Sequence, residues 1–256
     1  MTGKNITHIS VIVLAKNNQN TIKKTLQALS GFEDVVVYDN GSTDETITIA
    51  QSFSNVNLIQ GEFKGFGWTK NQAVSFAKND WVMIIDSDEV VDETLFEVLR
   101  TKEFHKNSVY QLNFKAFYKD IQVKHCGWNN QKIKRVYNRT ITQYNNNDVH
   151  EDIVTDGLHV EVLEGSVEHY SYHTISEFII KADRYSTLFA QNNAGKKSSS
   201  PLKALFNAKY SFIKTYIFKQ GFRDGYVGLV IAFSHMVTNF YKYIKLYELN
   251  KELKDK

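Results

Sequence analysis

Apolar and polar positions change period several times along the first hundred residues. HISVIVLA (8–15) is a short β-branched apolar run that predicts a strand, and TIKKTLQALS (21–30) follows with apolar residues at helical spacing. DVVVYDN (34–40) predicts a second strand, TITIAQSF (46–53) a helix, NVNLIQG (55–61) a third strand, TKNQAVSFAK (69–78) a helix and WVMIID (81–86) a fourth strand. The strand segments are almost wholly apolar, as strands covered on both faces by helices must be. Strands alternating with helices predict an α/β fold with a mostly parallel sheet.

From 109 to 170 the pattern turns to shorter, aromatic-rich strand candidates, among them VYQLNFKAFYK (109–119) and KIKRVYN (132–138). Beyond residue 174 it becomes helical, over 175–191, 202–218 and a long segment from about 224 to 249. The single proline of the chain, Pro201, closes KKSSSP (196–201), the best linker candidate. No internal repeat or extended low-complexity tract is present.

With 256 residues and 42% hydrophobic content the chain is long enough to bury one substantial core with a helical appendage. One cysteine, Cys126, excludes an internal disulfide framework, so a cytosolic setting is the default and that thiol is read as structural. The N-terminus lacks a basic region followed by an apolar run, and no stretch reaches about 18 apolar residues, so neither export nor a membrane span is expected. Charge is uneven: residues 1–202 carry 21 Lys and Arg against 24 Asp and Glu, whereas 203–256 carry 10 against 4. A basic surplus confined to one end points to a polyanionic partner.

WVMIIDSDEVVD (81–92) sets an apolar strand against a cluster of acids. Asp86, Asp88, Asp92 and Glu97 have EF-hand spacing, but a strand-like segment precedes them, and Val90 and Val91 stand where such a loop needs an oxygen ligand and a glycine. Asp92, just before ETLFEVLR, reads as a helix N-cap. Asp86 and Asp88, two apart at a strand end, project to one side and form a candidate clamp for a divalent cation holding a diphosphate. D-x-D alone is a weak pattern, since acids also end strands as solvated turn residues.

ISVIVLAKN (9–17), VVVYDNGSTDET (35–46), GFGWTKNQA (65–73) and WVMIIDSDE (81–89) resemble, in order and spacing, the nucleotide-sugar half of the family 2 inverting glycosyltransferases. The resemblance implies a GT-A fold, a Rossmann-like mostly parallel sheet flanked by helices, with a helical C-terminal extension. It places a catalytic domain over 1–195, split into a nucleotide-sugar half (1–100) and an acceptor half (101–195), and the extension over 202–256. By the same resemblance Asp39 recognises the nucleotide base, Ala15, Asn17 and Asn40 line its pocket, Ser87 stands between the metal-clamp acids, and Lys70 lies against the nucleotide sugar. The plainer readings are a turn with a helix cap at Asp39–Ser42 and a solvated helix face at Lys70.

Farther on, NNDVHEDI (146–153), VEHYSYH (167–173) and GFRDG (221–225) resemble the lipopolysaccharide inner-core β-1,4-glucosyltransferase subgroup, with Ser87 and Asn40 replacing the commoner alanine and aspartate. The implied donor is a nucleotide diphosphate sugar, UDP-glucose, and the implied cofactor is Mn²⁺ or Mg²⁺. An inverting transfer needs one general base outside the D-x-D; Glu151 is the first choice and Asp152 the alternate. The resemblance also makes His169 a third metal ligand, where packing is the plainer reading. His125, His150, His159 and His173 are weaker candidates, and core packing is the default for His235.

The C-terminal segment interleaves Lys203, Lys209, Lys214, Lys219 and Arg223 with aromatic and aliphatic residues. That character suits an anionic membrane surface and a lipid-linked saccharide acceptor, with the enzyme peripheral at the cytoplasmic face of the membrane. The alternative is that the aromatics pack inward and the lysines face water. No nucleic-acid module accompanies the basic residues, so nucleic acid is not an expected partner. The rivals are a family 2 enzyme for another glycan (capsule, teichoic acid or protein glycan) and a scaffold of the same fold without turnover.

Overall fold

The computed structural model describes residues 5–129, 131–145, 147 and 151–254. The chain divides into two compact units, Met1–Phe114 with Asn130–His169, and Lys115–Asn129 with Tyr170–Lys256. The linker read at 196–201 lies inside the second unit.

In the first unit, β1 (Ile6–Ala15), β2 (Phe32–Asp39), β3 (Val56–Gln60) and β4 (Trp81–Asp86) pair in parallel in the order β3-β2-β1-β4. Alternation sorts their side chains: Val11, Val13, Val35, Val37, Met83 and Ile85 enter one buried cluster, Ile12, Val36, Val82 and Ile84 the other. α1 (Ile22–Ala28), α2 (Thr46–Gln51) and α4 (Glu93–Thr101) supply the first cluster, and α3 (Phe66–Val74) the second. These are the elements the apolar pattern predicts, with α3 starting earlier, directly after Gly65 at φ +87°.

β1 lies between β2 and β4, so the strand order reverses there. The carboxyl ends meet in register, Ala15 beside Asp39 and Leu14 beside Asp86. A reversal point of this kind leaves a crevice outside the carboxyl ends of the strands, where open α/β sheets take their ligands.

Beyond β4 the sheet changes character. β8 (Gln131–Asn138) runs antiparallel to β4 and to β6 (Ser108–Tyr118), β9 (His159–Val162) joins β6 in parallel, and β10 (Val167–Tyr172) pairs antiparallel with β5 (Glu89–Val91). The parallel expectation therefore describes the first four strands, and antiparallel pairings extend the sheet. β5 and β9 are short, with three and four residues, and leave little periodic signal.

The second unit pairs the distal part of β6 with β7 (Ile121–Val123) and packs α5 (Ile175–Asn193) and α6 (Pro201–Ile213) along α7 (Gly225–Lys254). Among the described residues no helix is long and apolar enough to cross a membrane. α6 continues into a π-turn over 214–218, followed by a 3₁₀ turn over 221–224. The GFRDG segment works here as a clasp. Asp224 accepts hydrogen bonds from the Lys124 and His125 N–H groups at 3.2 and 2.8 Å and lies 2.8 Å from His125 Nδ1. Any side chain on Gly228 would collide with the Gly221 carbonyl. Cys126 is buried beside this clasp, and burial together with the Asp224 carboxylate pushes its thiol up to about 12, which keeps it an inert packing group.

Candidate functional site

The loops leaving β1 and β2 are knitted together. Asn17, in the left-handed region at φ +55°, donates its N–H to Ser42 Oγ at 2.9 Å and accepts from the Thr43 N–H at 2.8 Å. Asp39 is fully buried: its Oδ2 accepts the Gly41 and Ser42 N–H groups at 3.0 and 2.9 Å, and its Oδ1 accepts the Ser42 hydroxyl. The turn of the plainer reading is thus realised and fixes the shape of the loop beside Ala15, but its helix cap is not: α2 starts at Thr46, behind Glu45, with no side-chain cap. Asn40 donates its side-chain amide to the Gly61 carbonyl at 3.3 Å, tying in the end of β3.

The acids after β4 do not share one environment. Asp86 is the last residue of β4; Ser87 and Asp88 form a turn, so strand alternation does not extend to Asp88. Arg135, buried on β8, donates one Nη2 to both Asp86 Oδ2 (2.9 Å) and Glu89 Oε1 (2.7 Å). Glu89 Oε2 in turn accepts the Asp86 N–H at 2.8 Å. Ser87 is buried, and its carbonyl accepts the Thr25 hydroxyl at 3.0 Å. Two carboxylates therefore share one guanidinium, and the more exposed of them keeps the charge. For Asp86, burial opposes ionisation, but the Arg135 and Lys70 charges outweigh it and hold the carboxyl well below the usual range. For Glu89, burial leads, the nearby Asp86 charge adds to it, and the carboxyl is pushed up to about 8.

Asp88 turns the other way, its Oδ2 lying 3.4 Å from His169 Nε2. β10 delivers that histidine by pairing His169 with Glu89 across from β5. Burial would lower the His169 pKa, but the Asp88 contact and the surrounding acids raise it. Among the described residues no three His, Cys, Asp or Glu side chains are grouped to hold a metal ion. The expected set of Asp86, Asp88 and His169 is therefore not assembled as a three-ligand cage, because Arg135 takes Asp86. What meets is one carboxylate and one imidazole. They suit a Mn²⁺ or Mg²⁺ that keeps water and phosphate oxygens in its other positions.

The two neighbouring acids of the H-E-D segment separate. Glu151 Oε1 lies 2.6 Å from Lys70 Nζ, with side chains only 16% and 7% exposed. Asp152, 54% exposed, pairs with Lys134 at 2.6 Å. Lys70 also stands 4.9 Å from the centroid of the buried Tyr144 ring, and Asn71 brackets the Tyr144 backbone with hydrogen bonds of 2.9 and 3.0 Å. The Asn145 N–H donates to the Asp152 carbonyl at 2.9 Å. Lys70 is thus buried rather than on a solvated helix face, and its charge reaches both Glu151 and Asp86.

The remaining histidines have other settings. His150 lies outside the described residues, and His159 is exposed on β9. His125 is held by Asp224, the His173 N–H binds Glu177 Oε2 at 2.7 Å, and His235 faces Thr215 Oγ1 at 3.0 Å. Asp92 accepts the Leu95 N–H at 2.8 Å as the expected N-cap, and Glu97 pairs with Arg100, which excludes the EF-hand spacing as a site. Arg135, Glu89 and Tyr144 were not singled out by the sequence. A charged residue inside the strand KIKRVYN and a third acid directly after D-x-D were the available signals.

The model of glycosyl transferase family 2 matches residues 10–160, which spans the strand-end crevice and both acid segments. The chain belongs to glycosyl transferase family 2. It is 27% identical to an uncharacterised glycosyltransferase of Rickettsia typhi, over 94% of this chain and 87% of that protein. It is 25% identical to the lipopolysaccharide core biosynthesis glycosyltransferase LpsC of Rhizobium meliloti, over 94% of this chain and 92% of that one. A crystal structure of S. aureus TarS residues 1–349 aligns with 97% of this chain and 91% of that chain at 15% identity, with a TM-score of 0.45.

Proposed function

We propose that this family 2 glycosyltransferase transfers a hexose, glucose from UDP-glucose, with inversion to a lipid-linked saccharide of the lipooligosaccharide inner-core kind, as a peripheral enzyme at the cytoplasmic face of an anionic membrane. The observation that carries the reading is the gathering of Asp86, Asp88, His169, Lys70 and Glu151 around the carboxyl end of β4. The name of the LpsC relative, a lipopolysaccharide core enzyme, supports the acceptor class.

In this reading the loops at Ala15–Asn17 and Asp39–Asn40 receive the nucleotide. Asp39 retains acceptor capacity for the base, since each carboxylate oxygen takes more than one hydrogen bond. Asp88 and His169, with Asp86 nearby, would hold a divalent cation, which would supply positive charge against the leaving diphosphate. The acceptor oxygen attacks the anomeric carbon from the face opposite the diphosphate, the carbon–oxygen bond to the diphosphate breaks, and the hydroxyl proton passes to Glu151. Lys70 neutralises Glu151 in the resting enzyme, and the arriving diphosphate competes for that lysine and frees the base. Asp152, half exposed and paired with Lys134, is the alternate base.

The test is a hydrolysis and transfer panel of UDP-glucose, UDP-galactose and other nucleotide sugars with Mn²⁺ or Mg²⁺. Wild type should turn over one UDP-hexose, and Asp88→Ala should lose roughly 10²–10³-fold in rate, the loss typical of removing one transition-state charge partner. Full activity of Asp88→Ala would remove the metal role, and no turnover or binding of any nucleotide sugar would remove the donor assignment.

A further inference from the structure

α6 is packed inside out. Its small residues Ala204 and Ala208 are buried within the second unit, where α6 packs along α7. Four of its large apolar residues face outward: Leu202 is 67% exposed, Leu205 58%, Phe206 69% and Tyr210 59%. Positions 202, 205, 206 and 210 fall on one side of a helix, so these four make a continuous ridge. The ridge does not end with the helix. Ile217 and Phe218, on the π-turn that extends α6, are also exposed, and Phe218 at 71% is the most exposed large apolar residue among those described. An exposed cluster of this size, rimmed by polar groups, marks an interaction surface rather than a scatter of surface hydrophobes.

The charges around the ridge select its partner. Lys203, Lys209, Lys214 and Lys219 lie along the same segment and are exposed, as is Arg223. The one acid between 201 and 224 is Asp224, whose side chain is buried and turned to His125. A protein partner with an ordinary mixed-charge rim would leave this uniformly cationic border unmatched. A sheet of anionic headgroups over hydrocarbon matches both the ridge and its border, and aromatic and aliphatic side chains between lysines are what enters such an interface.

We infer that the outward ridge of α6, continued by Ile217 and Phe218, is the part of the molecule that inserts into an anionic bilayer surface, with the flanking lysines on the headgroups. This deepens, and rests on, the peripheral-membrane reading given above. A second copy of this chain is the competing occupant, since two such ridges could cover one another.

The test is co-sedimentation of the full chain with vesicles of phosphatidylcholine alone and of phosphatidylcholine mixed with phosphatidylglycerol, alongside size-exclusion chromatography with light scattering. Wild type should bind the anionic vesicles and remain monomeric without them. The double substitution Leu205→Glu/Phe206→Glu should lower the partition coefficient by about 10²-fold or more, the loss expected when two large side chains no longer enter hydrocarbon. Lys209→Gln/Lys214→Gln should lower it by about tenfold or more on anionic vesicles and leave neutral vesicles unaffected. UDP-sugar hydrolysis in solution should be unchanged in both variants, which shows that they fold. If wild type binds and Leu205→Glu/Phe206→Glu binds equally, the membrane reading stands and the ridge is the wrong face. If wild type binds neither kind of vesicle, the membrane reading falls and the ridge assignment with it. If wild type is a dimer that the glutamate pair converts to monomer without any vesicle binding, the ridge is a subunit interface and the inference is overturned.

Discussion

The two units use the same kinds of residue in opposite directions. In the first unit the large apolar side chains of β1, β2 and β4 point inward on both faces of the sheet, and the charged groups collect at the strand ends in tight pairs. In the second unit α6 packs through alanines and holds Leu, Phe and Tyr outward among lysines. One arrangement makes a sheet frame with its charged groups paired at a polar rim. The other leaves a large apolar surface exposed.

The contrast is sharpened most by the acids of the first unit, where a buried partner separates one carboxylate from its neighbour. Glu151→Gln should reduce transfer by about 10²–10⁴-fold at unchanged donor binding, the range expected for losing a general base, while Asp152→Asn stays within about threefold of wild type. Steady-state kcat and KM for both variants decide between them. If Asp152→Asn shows the larger loss, the Lys70 pairing has identified the wrong acid.

Arg135→Met should cost about 1–3 kcal/mol of unfolding free energy, because it leaves the buried Glu89 carboxyl without its side-chain hydrogen-bond partner and takes the cation from Asp86. Urea denaturation measures the loss. Arg135→Lys should recover part of the stability and less of the Mn²⁺ affinity, read by electron paramagnetic resonance, since the shorter lysine ammonium does not reach the place from which Nη2 serves both carboxylates. Equal recovery of both would make Arg135 a purely structural group.

The second unit carries its own pH dependence. Burial, with Lys219 and Lys242 nearby, lowers His235 to about 4, so folding favours the neutral ring. Stability from this site is complete above the ordinary pKa of 6.5 and is lost as pH falls from there toward 4, where the folded state also takes the proton. Melting temperatures of wild type and His235→Gln across that range should converge toward the acid end. A parallel decline of both would acquit His235.

The smallest effect is expected at α4. Asp92→Ala should destabilise the protein by about 1–2 kcal/mol through loss of the N-cap at Leu95 and of the bonds it accepts from Ser166, measurable by thermal melting, with the UDP-sugar KM unaltered. A change in KM would bring Asp92 into the site.

The parallel half of the sheet was legible because its strands are uninterrupted apolar runs, and WVMIID was read to the residue as β4. α4 and its cap were equally plain, since Asp92 and the Leu95–Leu99 spacing are local signals. β5 and β9 were not legible: three or four residues held by distant partners carry no period of their own. The same limit applied to the site. Asp86 and Asp88 were recognisable as a pair, but their different partners, Arg135 and His169, come from strands some fifty and eighty residues farther along.

The first four strands with their helices, the Asp92 cap, the acid motif and the basic C-terminal surplus were thus determined by the sequence itself, because each depends on neighbours within a turn or a strand. Tertiary structure alone decided which oxygen of which acid remains available, that Lys70 is buried against Glu151, and that α6 turns its bulk outward. Those outcomes depend on which distant cation or small residue arrives at the same place. Coulomb and packing forces act through space over a few ångströms, whatever the separation along the chain.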